Sequence, residues 1–204
     1  MKTNQKSKYL YVKKLTTANK QTYPTEIMIY IETSRLILRD WKESDIEPFA
    51  ALNADVRVME YFLKPLNIDE SFDFYQRIQK EIADCGYGLF AIEKKDTKEF
   101  IGFTGFHHVA FDIEDVSDVE IGWRIRYEDW NKGYVTEAGK ACLEYAKENQ
   151  LFSEVCSFTS VLNKGSERVM QKIGMEKVCN FDHPNVPNGH LLKEHVLYKI
   201  SLHR

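Results

Sequence analysis

From residue 35 onward, short apolar runs alternate with longer stretches of helical spacing. Arg35-Leu-Ile-Leu-Arg39 is such a run and predicts a first strand. Ser44 is placed to cap a helix running towards Asn53, with Pro48 in its opening turns, where a missing N–H is tolerated. Ile68 to Ala83 predicts a second helix, ending near Cys85-Gly86. Leu89 to Glu93 and Phe100 to Val109 read as a strand pair joined by the charged turn 94–98, and Val119 to Ile125 as a further strand. Across Tyr134 to Glu148, Val135, Ala138, Cys142 and Tyr145 recur at spacings of three and four, the signature of a helix with one apolar face. Val155 to Val161 is a strand rich in β-formers. Asn163 then caps a short helix to Ile173, and Gly174 stops it. Val178 to Phe181 and His195 to Leu202 supply two closing strands.

The order β-α-α-β-β-β-α-β-α-β-β contains no internal repeat. It predicts a single α+β domain, with about seven strands in a mixed parallel and antiparallel sheet and about four helices. Residues 1–30 precede it as a polar, Lys-rich extension whose only apolar patch is Tyr9-Leu10-Tyr11-Val12. Met28, directly before the strong patterning, is an alternative start.

A chain of 204 residues, 43% hydrophobic and 29% charged, has the balance of a soluble globular protein with a sizeable core. Its net charge of −3 argues against nucleic-acid binding, which needs a basic face. No apolar run is long enough to span a bilayer, and the N-terminus lacks the apolar core of a signal peptide, so a cytoplasmic location is expected. Cys85, Cys142, Cys156 and Cys179 are scattered without a C-x-x-C pair and read as reduced thiols. His107 and His108 are adjacent on a strand and point to opposite faces. His183, His190 and His195 show no ligand spacing, so no metal is expected.

Two stretches carry candidate chemistry. The first, Trp130-Asn-Lys-Gly-Tyr-Val-Thr-Glu-Ala138, joins a strand to a helix, and the first N–H groups of a helix attract anions. It contains one glycine, Gly133, and fits neither G-x-x-x-x-G-K-[ST] nor G-x-G-x-x-G, so triphosphate and dinucleotide loops lose support. Taken alone, Gly133 is either a phosphate cradle or a simple turn. The second, N-K-G-S-E-R-V-M-Q-K-I-G-M at 163–175, holds a helix cap and a helix stop.

Together with E-I-G-W-R-I at 120–125, E-T-S-R-L-I-L-R-D-W at 32–41, F-I-G-F-T-G-F at 100–106 and H-V-L-Y-K-I at 195–200, this order resembles the GNAT family of N-acetyltransferases. It is most similar to the RimJ/RimL-like branch, which includes acetyltransferases of ribosomal proteins. The likeness covers residues 31–202, taken as a single GNAT-like domain. It implies a sheet splayed between its fourth and fifth predicted strands, with acetyl-CoA in the gap as co-substrate and no metal. The pantetheine arm is then expected along Trp123, Arg124 and Ile125. The pyrophosphate is expected over the turn formed by Trp130, Asn131, Lys132, Gly133, Tyr134, Val135 and Thr136, with Asn163 and Ser166 completing the cofactor site.

The family often carries a tyrosine seven residues beyond the asparagine as proton donor to the leaving thiolate. Here that position is Met170, which makes Ser166 the nearest hydroxyl candidate. Glu120 is the candidate general base, because transfer needs a neutral amine and alkyl amines have pKa near ~10. Cys156 raises the idea of a covalent acyl-enzyme, but no histidine is placed by sequence to activate it, so direct transfer in a ternary complex is preferred. Asp115 and Asp118 sit in an acidic run leading to Glu120 and predict a cationic acceptor, either a small amine or a protein N-terminus. The alternative is an idle acyl-CoA-binding sensor or scaffold. A monomer or a homodimer is expected, with no nucleic-acid or membrane partner.

Overall fold

The computed structural model describes residues 27–111 and 116–202. The Tyr9–Val12 patch, Asp112, Glu114 and Asp115 lie outside the described residues. Eight strands form one sheet: β1 (Ile29–Glu32), β2 (Leu36–Arg39), β3 (Leu89–Lys94), β4 (Phe100–His108), β5 (Val119–Ile125), β6 (Glu154–Ser160), β7 (Glu176–Asp182) and β8 (Glu194–Ser201). Their order is β1-β2-β3-β4-β5-β6-β8-β7. The eighth strand, beyond the seven expected, is β1. It is a four-residue edge element whose one buried side chain is Ile31, too short to show a period in the sequence. Tyr30 ties it down, stacking on Phe90 at 4.2 Å and donating its hydroxyl to Asp40 at 2.8 Å.

Every neighbouring pair is antiparallel except β5 and β6, which run parallel and pair only where Glu120 lies opposite Cys156. Each of these strands is tied to its other neighbour. Beyond the end of β5, the Arg126 N–H donates to Ile101 O at 2.9 Å, continuing the pairing with β4. On the far side, β6 pairs with β8 from Glu154 to Ser160. The sheet therefore opens towards Ile125.

Four helices cover the sheet: α1 (Ile46–Ala54), α2 (Ile68–Cys85), α3 (Tyr134–Glu148) and α4 (Lys164–Lys172). Along β3, Phe90 and Ile92 join the core cluster under α3 and α4, while Leu89 and Ala91 join the one under α1 and α2. That alternation is the period-two geometry of a strand buried on both faces. Asn67 caps α2 by a reciprocal box, its side chain accepting from Glu70 N at 2.9 Å while Glu70 accepts from Asn67 N at 2.8 Å.

The start of α1 departs from expectation. Ser44 does not cap it but lies inside a 3₁₀ turn, Glu43–Asp45, that precedes the helix. The reason is tertiary. Asp45 is drawn into the core, where both its oxygens accept from Arg39 at 2.7 and 3.0 Å, and Arg39 also donates to Glu93 at 2.7 Å. Lys42 reaches the same Glu93 oxygen at 2.6 Å. Burial pushes the Glu93 carboxyl up, but hydrogen bonds from Lys42 and Arg39 outweigh it and hold it below its ordinary value. A lowered carboxylate stabilises the fold above its unfolded pKa, and that contribution is lost as pH falls through the folded value. Arg39→Met leaves buried Asp45 without its cation and Glu93 with Lys42 alone, and is expected to cost about 3–5 kcal/mol, read by urea unfolding at pH 7. The loss shrinks under acid, where the carboxylates take protons.

Candidate active site

The open end of the β5–β6 seam leads into a cleft of about 1040 Å³, lined on one side by Trp130, Asn131, Gly133, Tyr134, Val135 and Thr136. Asn131 (φ 60°) and Gly133 (φ 80°) both adopt the left-handed conformation that turns the chain into α3. A Cβ on Gly133 would meet nothing closer than Arg35 Nη2 at 3.6 Å, so only the backbone stands at this position. No side chain caps α3, which leaves its first-turn N–H groups at the cleft wall. Val135 packs against the core, which is why a branched residue is tolerated at this position.

This turn is clamped by residues 33–35, which join β1 to β2. Glu137 accepts at one oxygen from Thr33 Oγ1 (2.6 Å), Ser34 Oγ (3.0 Å) and Arg35 N (3.0 Å), and at the other from Arg35 Nε (2.6 Å). Arg35 also donates to Lys132 O at 3.0 Å and lies over the Tyr134 ring. The T-S-R of the early sequence motif is thus a brace for the anion turn. The Lys132 ammonium turns back to Asp129 at 3.3 Å. Trp130 Nε1 donates to Ile125 O at 3.0 Å, closing the end of β5.

Since Arg126 N–H points to β4, strand alternation directs the backbone of Arg124 and Gly122 to β4 and that of Trp123 to the open seam. Trp123 Nε1 donates to Ser166 Oγ at 3.3 Å, and Asn163 Nδ2 donates to the same oxygen at 3.1 Å. Ser166 N in turn bonds Asn163 Oδ1 at 3.1 Å, so Asn163 caps α4 and holds the serine together. Two donors on Oγ leave the Ser166 proton free to be given away. Met170 is 1% exposed and fills the core where the family tyrosine would stand.

Glu120 lines the cleft beside the seam, 9% exposed. Its Oε2 lies 3.2 Å from His107 Nε2, the residue directly across on β4. Burial pushes the His107 imidazole down, but the charge and hydrogen bond of Glu120, with Glu81 behind, outweigh it and raise the ring to about 9. His107 is therefore protonated at neutral pH and paired with a carboxylate. The sequence reading set it aside as a non-ligand; the strand register that places it opposite Glu120 is the signal that reveals it. Among the described residues no group of three or more His, Cys, Asp or Glu is placed to hold a metal. The rings of His183 and His195 lie tilted against each other at 4.7 Å, and burial holds both below their ordinary value. Cys156, opposite Glu120, is buried and its thiol is pushed up to about 12 by that burial, so it is not a thiolate nucleophile at neutral pH. Asp118 is exposed and does not line the cleft. Arg124 lies on the Glu120 face of β5, under α1 and α2, with Nη1 donating to Asn53 Oδ1 at 2.5 Å.

Residues 35–176 match the family model described as the acetyltransferase (GNAT) domain. The chain is 32% identical over 144 residues to YkkB of Bacillus subtilis (strain 168), covering 70% of this chain and 83% of that protein. A GNAT-family acetyltransferase from Bacillus anthracis superposes with a TM-score of 0.71 at 26% identity, over 86% of this chain and 99% of that one. RimL, the ribosomal L7/L12 α-N-protein acetyltransferase, shares the fold at a TM-score of 0.71 and 13% identity, over 88% and 98%. The uncapped helix start, the splayed seam and the backbone of Trp123 facing it fit the acetyl-CoA that this family uses as donor. This chain belongs to the GNAT family of acetyltransferases.

Proposed function

We propose that the protein transfers the acetyl group of acetyl-CoA to a primary amine, small or at a protein N-terminus, by direct attack within a ternary complex. The observation that carries this reading is Glu120, a largely buried carboxylate lining the cleft at the mouth of the unpaired seam. Glu120 accepts the proton of the ammonium, directly or through water, and His107 holds its carboxylate in place. The N–H of Trp123, facing the seam, polarises the thioester carbonyl. Ser166 donates its proton to the departing thiolate, its oxygen being already braced by Trp123 and Asn163. The raised thiol of Cys156 supports direct transfer over an acyl-enzyme.

The test is acetyl-CoA-dependent thiol release across small amines and N-terminal peptides. Turnover with at least one class is expected. The core position of Met170 favours the idle binding module, and tight acetyl-CoA binding with no turnover on any amine establishes that reading instead.

A further inference from the structure

Four of the described arginines are matched to acids, and two others, Arg77 and Arg168, have no acid partner but stand exposed. Arg35 pairs with Glu137, Arg39 with Asp45 and Glu93, Arg57 with Asp55 and Glu128, and Arg126 with Asp129. Arg124 differs. Among the described residues no carboxylate pairs with it, and its Nε is buried without a hydrogen-bond partner. Its contact at Nη1 is an amide, Asn53 Oδ1, since a guanidinium only donates, and Asn53 Nδ2 then donates to Ser71 Oγ at 3.2 Å. The guanidinium lies against the rings of Phe62, Phe74 and Phe103, at 4.3, 5.7 and 5.5 Å from their centroids. Burial without a compensating acid pushes it down to about 10. A charge desolvated and left unmatched is costly, and a guanidinium fork fits a carboxylate or phosphate in two parallel hydrogen bonds.

Position gives this vacancy a use. Glu120, Gly122 and Arg124 are alternate residues on one face of β5, so they look into the same cleft. Gly122 has no side chain, and the floor between the acid and the arginine is bordered by the His107 ring, whose Nε2 lies 3.4 Å from where a Cβ would stand. At about 3.3 Å per residue the two ends lie roughly 13 Å apart, with the reacting nitrogen between them. Arg77 also lines the cleft and sits over Phe74, adding a second positive charge at the Arg124 end. Asp118 lies beyond the Glu120 end, so the charge changes sign along the strand.

We propose that the acceptor is an amine that itself carries an oxyanion, with the anion seated on Arg124 and the amine beside Glu120. This rests on the transferase reading and narrows it: the acceptor is dipolar rather than purely cationic. The anion is a carboxylate or a phosphate-like group, since both offer the same pair of oxygens.

The test compares ω-amino acids of one to five methylenes with alkylamines of equal length, and with the matching aminoalkylphosphonates. In the wild type the best anionic acceptor is expected to exceed its alkylamine by at least tenfold in kcat/KM, and the phosphonate arm separates the two oxyanions. Arg124→Gln is expected to bring kcat/KM for the anionic acceptors down to that of the alkylamines, chiefly through KM, so that the ratio between the two acceptor classes is the readout. Asn53→Asp, which neutralises Arg124 without removing it, is expected to do the same should the first variant fold poorly. Equal or better turnover of plain alkylamines or polyamines by the wild type overturns the proposal. Calorimetry of the same acids with the CoA-bound protein reads the anchor without turnover. Binding there despite no acetylation leaves the anchor standing and defeats the transferase reading, whereas no binding beyond that of alkylamines defeats the anchor.

Discussion

Glu120→Gln lowers kcat for amine acetylation by about 10²–10³-fold with acetyl-CoA affinity unchanged, the range expected for losing a positioned proton acceptor. The amide keeps the shape of the side chain and a hydrogen-bonding oxygen for His107, so the loss reports chemistry rather than packing. The variant also reveals the partner. His107 is raised to about 9 by Glu120 against its own burial, and without the carboxylate the burial prevails and the ring becomes neutral at lower pH. A raised histidine stabilises the fold below its unfolded value near ~6.5, and this contribution disappears as pH climbs through the folded value of about 9. The wild type is therefore expected to lose stability between those limits while Glu120→Gln stays flat, measured by urea titration. Wild-type kcat for the glutamine variant from pH 6 to 10 removes Glu120 from the mechanism.

Gly133→Glu is expected to abolish acetyl-CoA binding in a folded protein. At φ 80° any residue with a Cβ is strained by about 1–2 kcal/mol, which a chain of this size tolerates. The new carboxylate stands at the start of α3, close to Arg35, and fills the place of the incoming anion. Losing even two charge-assisted hydrogen bonds, at roughly 1.5–3 kcal/mol each, weakens binding by about two to four orders of magnitude. Gly133→Ala carries the strain without the charge and separates the two causes. Calorimetry decides, and unchanged affinity for Gly133→Glu moves the anion site away from this turn.

What the sequence made legible was local. The helix at 68–85 declares itself by its capping box and by Gly86 at its end, and the one at 164–172 by Asn163, because caps act within three or four residues. Strand β4 was plain as an apolar run between turns. The rest depended on distant partners. Ser44 has the residue type of a cap, but Arg39 draws Asp45 inward and the helix starts beyond it. His107 became meaningful only through its register against Glu120, and Arg124 only through the absence of an acid around it. No periodicity announced the splay: Val119–Ile125 and Glu154–Ser160 read as ordinary strands, and the opening between them came from the family likeness alone.

That opening has a bearing on how long the protein lasts. Strands β1 to β5 and strands β6 to β8 form two leaves joined by the pairing at Glu120 and Cys156, with α3 packed on the first leaf and α4 on the second. A donor molecule lodged between the leaves stitches them, and it binds only the closed fold. At a hundredfold excess over its dissociation constant such a ligand adds about 2.7 kcal/mol of stability. Fewer molecules then open far enough for a protease to cut, because degradation draws on the unfolded fraction. Saturating acetyl-CoA is therefore expected to slow proteolysis of the folded chain, read by limited digestion with and without the donor.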